Sequence, residues 1–287
     1  MSLTEFAAAK INLALHVTGQ RDDGYHLLDS LVSFAGVGDR LRLVEGAAEP
    51  LRIIGPEGRG LSAGEDNLVL KAARLCGLPE GQGLELEKSL PRASGIGGGS
   101  ADAAATLRLL SRNSGAALPG AGAVLSLGAD VPVCLAGQSC RMSGIGEILT
   151  PAPALPKLWV LLANPRVEVP TPAVFRALKV KENPPLALPL TPWADAGAFL
   201  DWLAEQRNDL EEPAISLAPQ IGDLLDTLWD LPEVLFARMS GSGATCFALF
   251  AEKSAAMRAV YDVQDCYPDW WVAAGPLGDA AEVSPED

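Results

Sequence analysis

The stretch "SGIGGGSADAAATLRLL" at 94–110 sets four glycines and two serines directly ahead of an alanine-rich helical pattern. A backbone bare of side chains lets another group approach closely. A helix that begins just behind it points unpaired N–H groups and its positive dipole end outward. That combination suits an anion. Neither familiar nucleotide fingerprint is present: no lysine follows the last glycine as in a Walker loop, and the sixth position of a GxGxxG frame opened at Gly95 is Ser100. A flexible turn ahead of a helix is the other reading of these residues.

The chain around this loop has 287 residues, 48% of them hydrophobic, which is ample for two domains of ordinary size. A formal net charge of -14 argues against a nucleic-acid groove or an anionic membrane surface, since either needs a strong basic face. Local dipoles can still hold a small anion. Cys76, Cys134, Cys140, Cys246 and Cys266 form no CxxC pair and no Cys/His metal pattern, so they read as buried thiols in a reducing compartment. With no basic, apolar leader at the N-terminus and no apolar run long enough to span a bilayer, a cytoplasmic location is expected.

Ile11, Leu13, Leu15 and Val17 alternate with more polar neighbours, which predicts a strand with Lys10 and Asn12 on its face away from the core. "GQRDDGYH" (19–26) is a turn by composition, and 27–34 and 40–44 resume extended patterns. Helices are expected at 65–77 and from Ala101 to Arg112, with a short one at 121–128, after which "ADVPVCLA" reads as extended. Proline-rich "TPAPALPK" (150–157) has the look of a linker, so the domain boundary falls there, giving domains 1–150 and 151–287. Beyond it, strands are expected at 158–163, 234–239, 244–250 and 270–273. Helices are expected near 172–179, 196–206, 219–229 and 253–264, and the acidic end reads as a frayed tail. Strands and helices without strict alternation make the class α+β.

Taken singly, the candidate chemical residues have ordinary readings. Lys10 could be a solvated surface lysine and Asp130 a turn or cap residue. As a carboxylate at an element end, Asp130 could instead accept a proton from a hydroxyl. "SGSGA" (240–244) could be a tight hairpin turn. A second glycine loop in the other half of the chain also suits a ligand clamped between two domains. Tyr25, His26 and Phe175 could be satellite core residues, or planar rings and a donor that stack on and read a nucleobase. Asn208 and Asp209 read as a helix cap pair. His16 stands where an aromatic or apolar residue is expected, and its surroundings in the sequence give it no function.

Together the segments "AAAKINLALHVTGQRDDGYHLLDSLV", "LPRASGIGGGSADAAATL", "GADVPV", "GIGEILTP", "PTPAVF", "RNDLE" and "SGSGATCFALF" resemble, in order and over nearly the whole chain, the GHMP kinase superfamily. Within it they resemble the branch acting on 4-(cytidine 5'-diphospho)-2-C-methyl-D-erythritol. The resemblance implies a ribosomal protein S5 domain 2-like N-terminal ATP-binding domain and a ferredoxin-like C-terminal domain. It also implies ATP-dependent phosphorylation of the substrate 2-hydroxyl in the non-mevalonate route to isoprenoid precursors, with Mg²⁺ accompanying ATP.

By the same resemblance Asp130 is the base and Lys10 positions the hydroxyl. Pro91, Ser94, Gly95, Ile96, Gly97, Gly98, Gly99, Ser100 and Ala101 surround the ATP phosphates, and Asn67 and Lys88 lie on the adenosine side. Asn12 and Thr171 lie near the erythritol. Tyr25 and Phe175 sandwich cytosine, His26 reads its edge, and Gly241, Ser242 and Gly243 complete the substrate side. Ser100 is the one metal-contacting residue implied. Ala101 stands where members often carry a second serine, and "RAS" (92–94) where paired small residues are usual. A homoserine- or mevalonate-type kinase, which would share the loop without the cytosine clamp, and a non-catalytic nucleotide-binding module are the competing readings.

Overall fold

The computed structural model describes residues 3–285. Two long strands, β1 (Thr4–Gln20) and β2 (His26–Glu45), pair antiparallel through the 21–25 turn. The turn closes with the Arg21 N–H donating to the Tyr25 carbonyl at 2.8 Å, and Gly24 supplies a φ of 90° that other residues resist. The two extended runs expected at 27–34 and 40–44 are one continuous strand. Gly38 allows this, because a Cβ there would lie 2.3 Å from the Ala7 carbonyl oxygen beside a register shift in β1.

The first half continues with β3 (Leu51–Ile54), α1 (Leu68–Cys76), β4 (Gln82–Glu87), α2 (Gly98–Ser114), α3 (Ala121–Leu127), α4 (Val131–Ala136), β5 (Cys140–Gly144) and β6 (Ile148–Pro151). The second half has β7 (Leu158–Asn164), α5 (Thr171–Ala177), α6 (Ala196–Ala204), α7 (Glu211–Leu217), α8 (Gln220–Trp229), β8 (Phe236–Met239), β9 (Cys246–Phe250), α9 (Lys253–Cys266), β10 (Trp271–Gly278) and α10 (Ala280–Val283). The strands join in one sheet whose main path runs β3-β4-β2-β10-β7-β9-β8, and β10 bridges the halves by pairing with both β7 and β2.

Helix α2 lies across this sheet and against α1 and α4. Ala103, Ala104 and Ala105 are fully buried in it, and their small side chains let the helix sit close to its neighbours. Leu107, Leu109 and Leu110 anchor the same helix in the first core cluster, where truncation of one such leucine costs about 2–5 kcal/mol. The N-terminus of α2 is therefore held firmly at the level of the glycine loop.

Three expectations give way. "ADVPVCLA" is helical in α4, because Pro132 in the first turn has the φ that a helix start needs. The acidic end is docked as far as Val283, which is buried in the core, while the Ala280 N–H donates to the Gly137 carbonyl and Asp279 accepts the Ser139 N–H. Residues 286 and 287 lie outside the described residues. The face of β1 carrying Lys10 and Asn12 is not solvent-facing, since they are only 3% and 1% exposed. Of the cysteines, Cys134, Cys140 and Cys246 are buried, whereas Cys266 is exposed and Cys76 half-buried.

Candidate active site

The buried polar face of β1 opens into a cavity of about 1080 Å³. Lys10 is set there by its own strand, its backbone N–H donating to the Ile96 carbonyl at 3.0 Å and so tying β1 to the glycine loop. Its Nζ donates to Asn12 Oδ1 at 2.7 Å and lies 3.1 Å from Asp130 Oδ2. Asn12 in turn donates from Nδ2 to Ser30 Oγ at 2.7 Å, which orients its amide so that the oxygen faces the ammonium. Asp130 stands at the N-cap position of α4, yet its side chain makes no capping bond and is 33% exposed. The carboxylate is free to face Lys10 and the cavity.

The first glycine loop meets this pair from above. Gly97, with φ at 65°, precedes the first turn of α2, and the first amide to bond back within the helix is that of Ala101, to the Gly97 carbonyl at 2.8 Å. The N–H groups of Gly98, Gly99 and Ser100 are left without an intrahelical acceptor at the positive end of a 17-residue helix. A Cβ on Gly97 would come within 3.2 Å of Lys10 Cε, so the bare backbone makes room for the lysine as well as for an anion.

The second glycine loop packs against the first. Ser240 Oγ donates to the Gly95 carbonyl at 3.2 Å and the Thr245 N–H donates to the Ser94 carbonyl at 3.1 Å. Ser242 Oγ and Thr171 Oγ1 share a hydrogen bond of 2.8 Å that joins this loop to α5. At the far end of the cavity the rings of His26 and Phe175 stack with centroids 4.7 Å apart, and Tyr25 is exposed on the rim.

The family model described as GHMP kinases N terminal domain matches residues 67–143, and that described as GHMP kinases C terminal matches 187–269. A 4-diphosphocytidyl-2-C-methyl-D-erythritol kinase of Cereibacter sphaeroides is 58% identical over 269 residues, covering 93% of this chain and 96% of that protein. The chain belongs to the 4-diphosphocytidyl-2-C-methyl-D-erythritol kinase family.

Another member, from Ruegeria pomeroyi, is 55% identical over 277 residues, 96% of this chain and 99% of its own. A solved 4-(cytidine 5'-diphospho)-2C-methyl-D-erythritol kinase superposes with a TM-score of 0.76 at 34% identity, covering 96% of this chain and 99% of that one. Homoserine kinase from Cytophaga hutchinsonii, with a TM-score of 0.58 at 18% identity over 97% of this chain and 95% of its own, shares the fold alone. The protein is thus an ATP-dependent small-molecule kinase of the α+β GHMP type.

Eighteen of the residues singled out from the sequence of this kinase line the one cavity, from Lys10 and Asn12 to Gly241 and Ser242. Ile96, Ala101 and Gly243 do not. Ile96 and Ala101 turn into the core, and a Cβ on Gly243 would meet Met239 Sδ at 2.7 Å, behind the loop. Asn67 lines the wall but already spends its side chain, Oδ1 capping α1 at Val69 N (2.9 Å) and Nδ2 donating to the Ser62 carbonyl (2.7 Å).

Lys88 is similarly engaged. Buried beneath α2, its ammonium is held by Asp39 and by Asp102 Oδ2, the latter at 2.7 Å, while Asp39 Oδ1 accepts the Ser89 and Leu90 N–H groups at 2.6 and 2.8 Å. Neither aspartate was singled out from the sequence. Burial pushes the Asp102 carboxyl up to about 8, with Lys88 opposing and Asp39 reinforcing the rise. Asp102 also lines the cavity, and its Oδ1 has no partner among the described residues. A buried polar residue in the first turn of an otherwise alanine-rich helix was the available signal for it.

Proposed function

We propose that this kinase transfers the γ-phosphoryl group of ATP to the 2-hydroxyl of 4-(cytidine 5'-diphospho)-2-C-methyl-D-erythritol. The observation that carries the reading is the 3.1 Å approach of Lys10 Nζ to Asp130 Oδ2 at the mouth of a glycine loop and a helix N-terminus, within one cavity. As the hydroxyl oxygen bonds to phosphorus and the bond from phosphorus to the bridging oxygen of ADP breaks, the hydroxyl proton passes to the Asp130 carboxylate. The Lys10 ammonium holds that oxygen and offsets its developing charge. The free N–H groups of Gly98, Gly99 and Ser100 hold the phosphates.

Among the described residues no cluster of three or more His, Cys, Asp or Glu could hold a metal ion. That suits Mg²⁺, which is carried largely by nucleotide phosphates and needs only one or two protein oxygens. Ser100 Oγ, on the cavity wall beside the glycine loop, is the oxygen that fits. When bound, the ion supplies charge neutralisation between the phosphates.

The stacked His26 and Phe175 rings, with Tyr25 beside them on the rim, favour a planar base as the far end of the acceptor. We also infer division into 1–150 and 151–287, supported by core clusters centred on α2 and on β9 with α8 and α9, with a third cluster, holding Ile11 and Phe247, joining the halves. A cytoplasmic setting is favoured by five unpaired cysteines, and among the described residues no helix is long and apolar enough to cross a membrane. The test is ADP release with the cytidine-bearing alcohol, homoserine and mevalonate in competition. Turnover of the first by at least two orders of magnitude over the others is expected on the strength of its buried polar contacts; equal turnover or preference for a smaller alcohol refutes the assignment.

A further inference from the structure

His16 is 2% exposed, six residues beyond Lys10 on β1, and no step above uses it. Its two ring nitrogens face two different segments. Nδ1 lies 2.9 Å from the Pro184 carbonyl oxygen, and Nε2 lies 3.2 Å from the Arg207 backbone nitrogen. The partners dictate the tautomer: a carbonyl only accepts and a backbone N–H only donates, so Nδ1 carries the proton and Nε2 keeps its lone pair. Burial lowers the imidazole pKa and outweighs the bond to Pro184. The Arg207 charge lowers it further, while Asp209 and Asp29 oppose.

Each segment the ring holds carries part of the acceptor half of the cavity. Past Arg207, Asn208 Nδ2 donates to the carbonyls of Met239 and Gly241, both at 2.8 Å, and so sets the height of the second glycine loop. That loop passes close to Asn12, since a Cβ on Gly241 would lie 3.2 Å from Asn12 Oδ1, and it carries Ser242 to Thr171. On the Pro184 side, the Asn183 N–H donates to the Val17 carbonyl at 3.0 Å, and Lys181 lines the cavity rim. An apolar side chain at position 16 would fill the volume but leave the Pro184 carbonyl and the Arg207 N–H unpaired.

We propose that His16 is a positioning residue for the phosphoryl acceptor, a neutral two-ended link that holds the Asn208–Ser242 wall and the Lys181 rim in place relative to Lys10 and Asn12. The inference rests on the acceptor assignment made above. The 207–209 segment keeps other bonds to β1, namely Leu15 N to Arg207 O, Asp209 N to Leu15 O and Val17 N to Asp209 Oδ2, so loss of the ring loosens it without releasing it.

His16→Leu and His16→Gln test this by steady-state kinetics in both substrates and by amide hydrogen exchange. Loss of the ring's two buried hydrogen bonds predicts a rise of about tenfold or more in KM for the cytidine alcohol in His16→Leu, with KM for ATP and kcat changed by less than about threefold. Gln, which offers both an acceptor and a donor, is expected to recover most of the loss. Exchange at 207–210 and 240–243 is expected to be faster in His16→Leu than in the wild type or His16→Gln. An unchanged alcohol KM, or parallel rises in both KM values that Gln does not reverse, overturns the proposal. If the Leu variant does not fold, the pH profile decides. The wild-type alcohol KM should climb at acid pH, only below the ordinary imidazole range because the folded ring is held below it, and more steeply than that of His16→Gln; superimposable profiles overturn the proposal. If the wild type does not turn over the cytidine alcohol, the acceptor assignment fails. The exchange measurement then judges His16 independently, and unchanged exchange at 240–243 counts against it.

Discussion

Lys10 and Asp130 come from β1 and from the cap of α4, 120 positions apart in sequence, yet the ammonium and the carboxylate meet at 3.1 Å. Both are fixed from behind. Lys10 is held by the Ile96 carbonyl and by Asn12, and Asp130 by the tight Gly128–Val131 turn, in which the Val131 N–H donates to the Gly128 carbonyl at 3.1 Å. Phosphoryl transfer depends chiefly on position and on charge already in place, and in the proposed mechanism this pair supplies both.

Asp130→Asn keeps the shape of the side chain and removes the proton acceptor, so kcat is expected to fall by about 10²–10⁴-fold. Lys10→Met removes the charge that faces the reacting oxygen and is expected to cost about 10²–10³-fold. Thermal unfolding beside the kinetics checks that the fold survives. A variant of either residue that retains near-normal turnover would remove it from the mechanism.

Gly95 has φ at 74°, and a Cβ there would lie 2.5 Å from the Ser240 carbonyl oxygen and 2.8 Å from that of Gly243. Gly95→Ala must therefore push the two glycine loops apart. The backbone conformation alone costs about 1–2 kcal/mol, and the overlap with rigid backbone adds to it. The expected result is a lower denaturation midpoint together with weaker binding of both substrates, measured by calorimetry on each. Normal stability in this variant would mean that the loops are not packed as described.

Phe175 stacks on His26 at the end of the cavity proposed to take the acceptor's base. Loss of one base–aromatic stack costs about 1–3 kcal/mol, so Phe175→Ala should raise KM for the cytidine alcohol roughly five- to 150-fold. KM for ATP should hold. A rise confined to ATP would place the nucleotide, and not the acceptor, at this end.

Lys88 is a buried cation held between two buried carboxylates. Replacing it with Met leaves Asp39 and Asp102 facing each other without a counter-charge, and breaking a buried pair in this way costs about 3–5 kcal/mol. Chemical denaturation should register that loss. The double variant Lys88→Met/Asp102→Leu should recover part of it, because one orphaned carboxyl is gone.

The β1 pattern, the helix behind the glycine loop and the β8–β9 hairpin were legible in the sequence because each depends on local periodicity or on glycine. Val131 and Val133 made α4 resemble a strand, and only the position of Pro132 in the first turn distinguishes the two. The burial of Lys10 and Asn12 was not legible, because alternation marks two faces without saying what covers the second. Asp39 and Asp102 escaped notice for a related reason. Their meaning depends on Lys88, which is 49 and 14 positions away, and Asp39, next to Gly38, has the look of an ordinary turn residue. Asn208 was read as a cap, and it does accept the Leu210 N–H at 3.0 Å, but its amide nitrogen serves the second glycine loop.

The chain has only two histidines, and both are held below their ordinary pKa. For His16 burial is the main cause; for His26 it is burial followed by the charge of Lys181. The unfolded chain takes up protons on these rings as pH falls through about 6.5, whereas the folded chain resists until lower pH. Because the unfolded state then binds more protons on these rings, the two histidines make folding stability decline with falling pH over the window that starts near 6.5 and ends at the two folded values, whereas the buried carboxyls of Asp102 and Glu211, both raised, act in the opposite sense. Thermal midpoints from pH 7.5 down to 5.0 measure this. His16→Gln/His26→Gln removes both rings and leaves the carboxyls as they are, so with falling pH the wild type should lose stability relative to this variant. Parallel curves for the two proteins would mean that neither ring is kept neutral by the fold.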